Sequence, residues 1–139
     1  MGDPHNLQRF VEAQAPVYAQ VCKELRAGQK KSHWMWFVFP QIAGLGASAM
    51  ARAFAISSLA EAEAYLAHPI LGPRLVECTM LVNNVEGRTA RQIFAAPDDL
   101  KFRSSMTLFA EASSGNAVFN EALQKYYAGE ADRLTLERL

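Results

Sequence analysis

Two cysteines, Cys22 and Cys78, are all that 139 residues contain. They lie too far apart for a CxxC redox or zinc pair, and one possible disulfide does not make a secreted, disulfide-stapled scaffold. A reducing cytoplasm is the expected compartment. Histidine is nearly as scarce: His5, His33 and His68 show no metal-ligand spacing, and neither HExxH nor a Cys-His cluster occurs, so no metal site is expected. Excess charge is missing as well. Fourteen basic residues balance fourteen acidic ones, which removes the overall field that would draw the chain to nucleic acid or an anionic membrane. No apolar run approaches the roughly 18 residues of a membrane span. The opening MGDPHNLQRF has neither the charged nor the apolar region of a signal peptide, and Asn6 stands where a myristoylation signal wants Ser or Thr. Repeats, low-complexity tracts and linkers are also lacking. The expectation is a soluble, cytoplasmic protein forming one domain over residues 1–139.

What is present is the composition of a folded core, half hydrophobic and one-fifth charged, at a length where folding buries roughly two-thirds of the unfolded chain's surface. The patterning is helical. Leu7, Phe10, Val11 and Gln14 share a face, and Pro16 opens a second helix carrying Val17, Val21 and Leu25 up to Gly28. Ser48 can cap a short helix through Met50 to Phe54, and Ser58 with Glu61 reads as a capping box for LAEAEAYLA. Leu71, Leu75, Cys78, Val82 and Val85 continue the period, with an irregular first turn at Gly72 and Pro73. Thr89 with Gln92 forms another box. Pro97, Asp98 and Asp99 start a helix through about Ala112, and Asn116 caps the last long one, with Val118, Phe119, Ala122, Leu123 and Tyr126. No hairpin turn is found. The fold class is all-α, a compact bundle of six to eight helices.

The segment KKSHWMWFVFPQ, residues 30–41, is apolar on every side after its polar start, so periodicity cannot separate strand from helix. Ser32 as N-cap and Pro40 as stop favour a short buried helix. His33, beside Lys30, Lys31 and Ser32, is a candidate acid or base with an aromatic wall at hand, although a histidine between tryptophans is more often a packed residue. The second candidate is PDDLKFRSSMTLF, residues 97–109, where Asp98 and Lys101, and Lys101 and Ser105, share a helical face. GLGAS lacks the lysine of a P-loop and the third glycine of a dinucleotide fingerprint, and no GxSxG supports Ser104 or Ser105 as nucleophile.

The strings LQRFVEAQ, SHWMWFVFPQ, GLGAS, YLAHPILGPRL and DDLKFRSSMTLF, in this order, resemble the DUF1810 family of bacterial domains of unknown function, over nearly the whole chain. The resemblance implies a compact all-helical bundle and no particular activity. The label calpastatin often attached to such sequences does not fit: a calpastatin is disordered, proline-rich and charged, and this chain has the composition of a folded domain.

Lys31, His33, Gln41, Asp98, Lys101 and Ser105 are costly choices for a core. They motivate a working expectation: a cleft between SHWMWFVFPQ and PDDLKFRSSMTLF that binds a small anionic, nucleotide-like or phosphorylated ligand. Lys101 and Arg103 would hold phosphate or carboxylate, Trp34 or Trp36 would stack a ring, and Lys31, His33, Gln41 and Ser105 would complete the polar lining. If there is catalysis, His33 with Asp98 or Asp99 is the candidate pair. No cofactor is called for, and a monomer or weak homodimer is expected. The alternatives are a protein-interaction module in which the same aromatics form an exposed patch, and polar residues that only link helices through buried hydrogen bonds; Trp34, Trp36 and Phe37 all buried beside a polar pocket would favour the ligand.

Overall fold

The computed structural model describes residues 2–114 and 116–139, and among these it has ten helices and no strand. Six of the ten span seven residues or more, and the short pieces carry the count past six to eight. The first three are α1 (Gln8–Gln14), α2 (Tyr18–Arg26) and α3 (Met35–Val38). They are followed by α4 (Ala49–Ala53), α5 (Leu59–Ala67), α6 (Leu71–Asn83) and α7 (Ala90–Phe94). The chain ends with α8 (Asp98–Ala112), α9 (Val118–Tyr127) and α10 (Arg133–Glu137).

Local chemistry sets most boundaries. The Ser48 side chain accepts from the Ala51 N–H at α4, and Thr89 and Gln92 complete both halves of a capping box at α7. The box read at Ser58 is half made. The Ser58 hydroxyl accepts from the Glu61 N–H, but the Glu61 carboxylate turns to Ser57 and to Arg9 at 2.9 Å. His68 caps α6 instead, its Nδ1 accepting from the Ile70 and Leu71 N–H groups. Gly72 and Pro73 lie inside the regular helix. A side chain at Gly72 would overlap the Leu66 carbonyl, so glycine is what lets α5 and α6 approach.

The buried apolar side chains form one continuous cluster, with α8 central to it: Phe102, Met106, Leu108 and Phe109 have no exposed surface. Phe102 stacks on Phe94 and meets Phe39 edge-on, so aromatic contacts run from α3 through α8. Cys22 and Cys78 are free and buried, and burial first of all pushes the Cys78 thiol up to about 12. Among the described residues, no helix is long and apolar enough to cross a membrane.

The opening motif differs from its sequence reading. Its helix is only four residues long, with Trp34 rather than Ser32 at the cap position. Ser32 is engaged elsewhere. Its hydroxyl donates to the Glu24 carboxylate at 2.7 Å, and that buried carboxylate also accepts from the Lys31 and Ser32 N–H groups, Gln20 and Trp34 Nε1. Burial alone would raise the Glu24 pKa; the hydrogen bonds outweigh it and hold the group near 2.

Candidate functional site

Two contacts join the opening segment to the start of α8. Lys30 Nζ lies 2.9 Å from Asp98 Oδ2. Lys101 Nζ, 3.5 Å from the other Asp98 oxygen, stands 5.7 Å from the centre of the Trp36 ring. The i, i+3 pairing of Asp98 with Lys101 is the one their spacing indicates. Beside these contacts a cleft of about 530 Å³ opens between the loop and helix from Gln41 to Ala51, the first turns of α8, and α10.

Each wall has a local cause. After Pro40 the chain makes a single parallel bridge, Ile42 to Ile56, with the Ile56 N–H donating to the Gln41 carbonyl and the Ala43 N–H to that of Ile56, 2.8 Å each. This closes the intervening residues into a loop and fixes Gln41 at its base. Gly44, at φ +97, leaves room for the Arg138 guanidinium, which would collide with any side chain there. The third wall, α10, is held by Asp132. Its Oδ2 accepts from the Thr135 N–H at 3.0 Å as an N-cap and lies 3.1 Å from Ser104 Oγ, while its own N–H donates to Thr107 Oγ1. Arg103 reinforces this, donating from Nε to the Glu130 carbonyl at 2.8 Å and from Nη2 to that of Ala131 at 3.2 Å.

The lining is amphipathic. Leu100 and Leu134, both well exposed, form apolar lips, and Gln41, Ser48, Lys101, Arg103, Ser104 and Asp132 supply polar groups. Trp36, half-buried, lines an adjoining small recess that shares Gln41, Gly46 and Ala51. Of the residues expected from the sequence, Gln41, Lys101 and Arg103 line the cleft, and Trp36 borders it through Lys101.

The others lie elsewhere. Trp34 is 1% exposed, its indole nitrogen committed to Glu24, and Ser105 is fully buried with its hydroxyl unpartnered among the described residues. Lys31 and His33 are exposed on the approach to α3, outside the lining. Asp98 is engaged by Lys30 and Lys101, and one buried oxygen of Asp99 has no hydrogen bond among the described residues. No group of three His, Cys, Asp or Glu side chains suited to a metal occurs among the described residues.

Glu24 and Asp132 escape the sequence reading. Each left a trace. Glu24 falls on the apolar face of α2, three residues after Val21, where an acid demands donors. Asp132 precedes a short leucine-bearing stretch, as an N-cap does.

Fold and cleft together define an all-helical protein with an amphipathic surface cleft bearing a lysine at an aromatic edge. The chain belongs to the family described as Protein of unknown function (DUF1810), whose model matches residues 4–139. It is similar to a conserved hypothetical protein from Mycobacterium tuberculosis, Rv1873, known from a crystal structure. The two are 60% identical, over 99% of this chain and 98% of the other, with a TM-score of 0.97. No curated protein matches the chain.

Proposed function

We propose that the cleft between the Gln41–Ala51 wall and the start of α8 binds a small ligand with a flat apolar body and one anionic group, as in a nucleoside monophosphate or another phosphorylated metabolite. The observation that carries this reading is Lys101, whose ammonium stands at the cleft and above the Trp36 ring. An anion reaching Lys101 and a ring reaching Trp36 would meet in one site. The volume, about 530 Å³, suits a small molecule, for which sites span roughly 300–1,000 Å³.

Arg103 has a different part in this reading. Its guanidinium is committed to the 130–131 backbone, so it positions the α10 wall, and Lys101 is the principal anion contact. Gln41, Ser48 and Ser104 would bond the ligand's polar edge, and Asp132 its hydroxyls. Of the three aromatics whose burial favours a ligand over an exposed interaction patch, Trp34 and Phe37 are buried and Trp36 is half-buried.

Thermal unfolding in the presence of AMP, ribose 5-phosphate and adenosine tests the reading. A ligand at 100 times its Kd adds about 2.7 kcal/mol of stability, so AMP is expected to raise Tm by several degrees and adenosine to do less. Lys101→Ala should abolish the AMP shift while leaving the ligand-free Tm nearly unchanged. Absence of any shift across the phosphorylated compounds, or an undiminished shift in Lys101→Ala, refutes it.

A further inference from the structure

A second and larger concavity, about 870 Å³, lies at the other end of α8, between α5, α6 and the residues Ala112, Ser113 and Asn116. Lys101 and Ala112, which line the two sites, are eleven positions apart on α8, about 16 Å along its axis. The groove owes its shape to α6, which has two apolar faces. The inner face, Leu71, Leu75, Cys78 and Val82, is buried in the core. An outer face, apolar at Pro73, Val76, Met80 and Leu81 and polar at Glu77 and the C-cap Asn84, lines the groove.

Those outer positions advance by three, one, three, one and three, the spacing of a single stripe running three helical turns, about 16 Å. A surface helix needs only one apolar stripe to hold it to its core. Here the second stripe is half open to solvent: Met80 is 51% exposed, whereas Leu66, Val76 and Leu81 are half-buried. Methionine suits such a surface because its unbranched thioether adapts to different neighbours.

Charge selects the occupant. Among the described residues the only ionisable side chains lining the groove are Glu63 and Glu77, both exposed, the latter also accepting from the Tyr18 hydroxyl, and no Lys, Arg or His is in the lining. Leu66 and Ala67 at the end of α5, and Ala112 at the end of α8, also line it, so two helix C-termini with their partial negative charge face the same space. The chain as a whole is neutral, which makes this local sign a property of the groove rather than of the surface at large.

We propose that the groove between α5, α6 and the end of α8 docks an amphipathic helix of another protein, seated by apolar residues at i, i+3/i+4 spacing and flanked by Lys or Arg. A groove bounded by helices takes a helix, since a docked strand needs a free sheet edge and the described residues contain only one isolated β-bridge. The partner's stripe covers Val76, Met80 and Leu81, and its basic flanks meet Glu63 and Glu77.

The test uses two labelled helical peptides that share one leucine stripe and differ only in carrying lysine or glutamate along its flanks, followed by fluorescence anisotropy with the full chain. The lysine peptide is expected to bind at least tenfold more tightly, with the advantage shrinking as salt is added. Glu63→Lys combined with Glu77→Lys should reverse the preference. Met80→Asp, at an exposed position that leaves the fold intact by circular dichroism, should abolish binding of both peptides. Lys101→Ala, which removes the AMP contact in the other cleft, should leave the binding of both peptides unchanged, and this separates the two sites. Equal binding of the two peptides, binding of neither, or binding that survives Met80→Asp overturns the proposal. So does sedimentation showing a self-association that Met80→Asp removes, because the occupant would then be a second copy of this chain.

Discussion

Glu24 is 4% exposed and, among the described residues, carries no hydrogen-bonded cation; five donors from Gln20, Lys31, Ser32 and Trp34 stabilise its charge instead. Those bonds fix the segment that leads into α3 and bring Lys30 within reach of Asp98. The linkage follows from the direction of the shift. The folded pKa, about 2, is below the ordinary 4.5. The carboxylate's contribution is therefore complete above pH 4.5 and is lost as pH falls through the interval down to 2. Glu24→Gln keeps the shape but turns an amide toward backbone donors. It is expected to cost about 2 kcal/mol at neutral pH and to flatten the stability profile between pH 4.5 and 2, as read from urea midpoints. A variant whose acid profile matched the parent's would show that other carboxylates carry the acid sensitivity.

Among the elements, those announced by a cap or a strict apolar period were legible: α4 by Ser48, α7 by Thr89 and Gln92, α8 by Pro97 with its two aspartates. Where distant partners decide, the sequence was a poor guide. Ser32 looked like a cap and serves Glu24; Glu61 looked like half of a box and answers Arg9, 52 positions away. Gly72 looked like a weak point of α6. It is instead the site of closest approach to α5, where an added methyl group would meet the Leu66 carbonyl. Backbone cannot move aside as a flexible side chain can, so Gly72→Ala is expected to cost about 3 kcal/mol, the upper end for overpacking. Gly87→Ala is the comparison: at φ +72 with open space around it, it should lose only about 1 kcal/mol, from backbone strain alone. Chemical denaturation of the two variants measures the difference, and equal losses would mean that α5 and α6 can part without consequence.

For the molecule as a whole, the all-helical class followed from patterning, whereas the cleft did not, because its walls come from three remote parts of the chain: Gln41–Ala51, Pro97–Ser104 and Asp132–Leu134. Lys101 was visible as a charge at the start of a helix; that Trp36 and not Trp34 lies beneath it depends on which way a four-residue helix turns. The third wall is the one attached by polar contacts. Asp132 caps α10 and meets Ser104 and Thr107, Arg103 binds the preceding carbonyls, and Arg138 lies against Gly44 on the opposite wall. Leu134 and Leu136 are largely exposed, so few apolar contacts back these bonds. Regions held in this way open locally at a free energy below that of global unfolding. Asp132→Ala is therefore expected to lower global stability by only about 1 kcal/mol, the usual loss for a cap, while hydrogen exchange accelerates in residues 130–139 and, through Arg138, in the loop around Gly44. Asp132→Asn, which can still cap, should restore most of the protection. Acceleration spread evenly over α8 and α9 would instead place α10 within the cooperative core, and the cleft would then have three rigid walls.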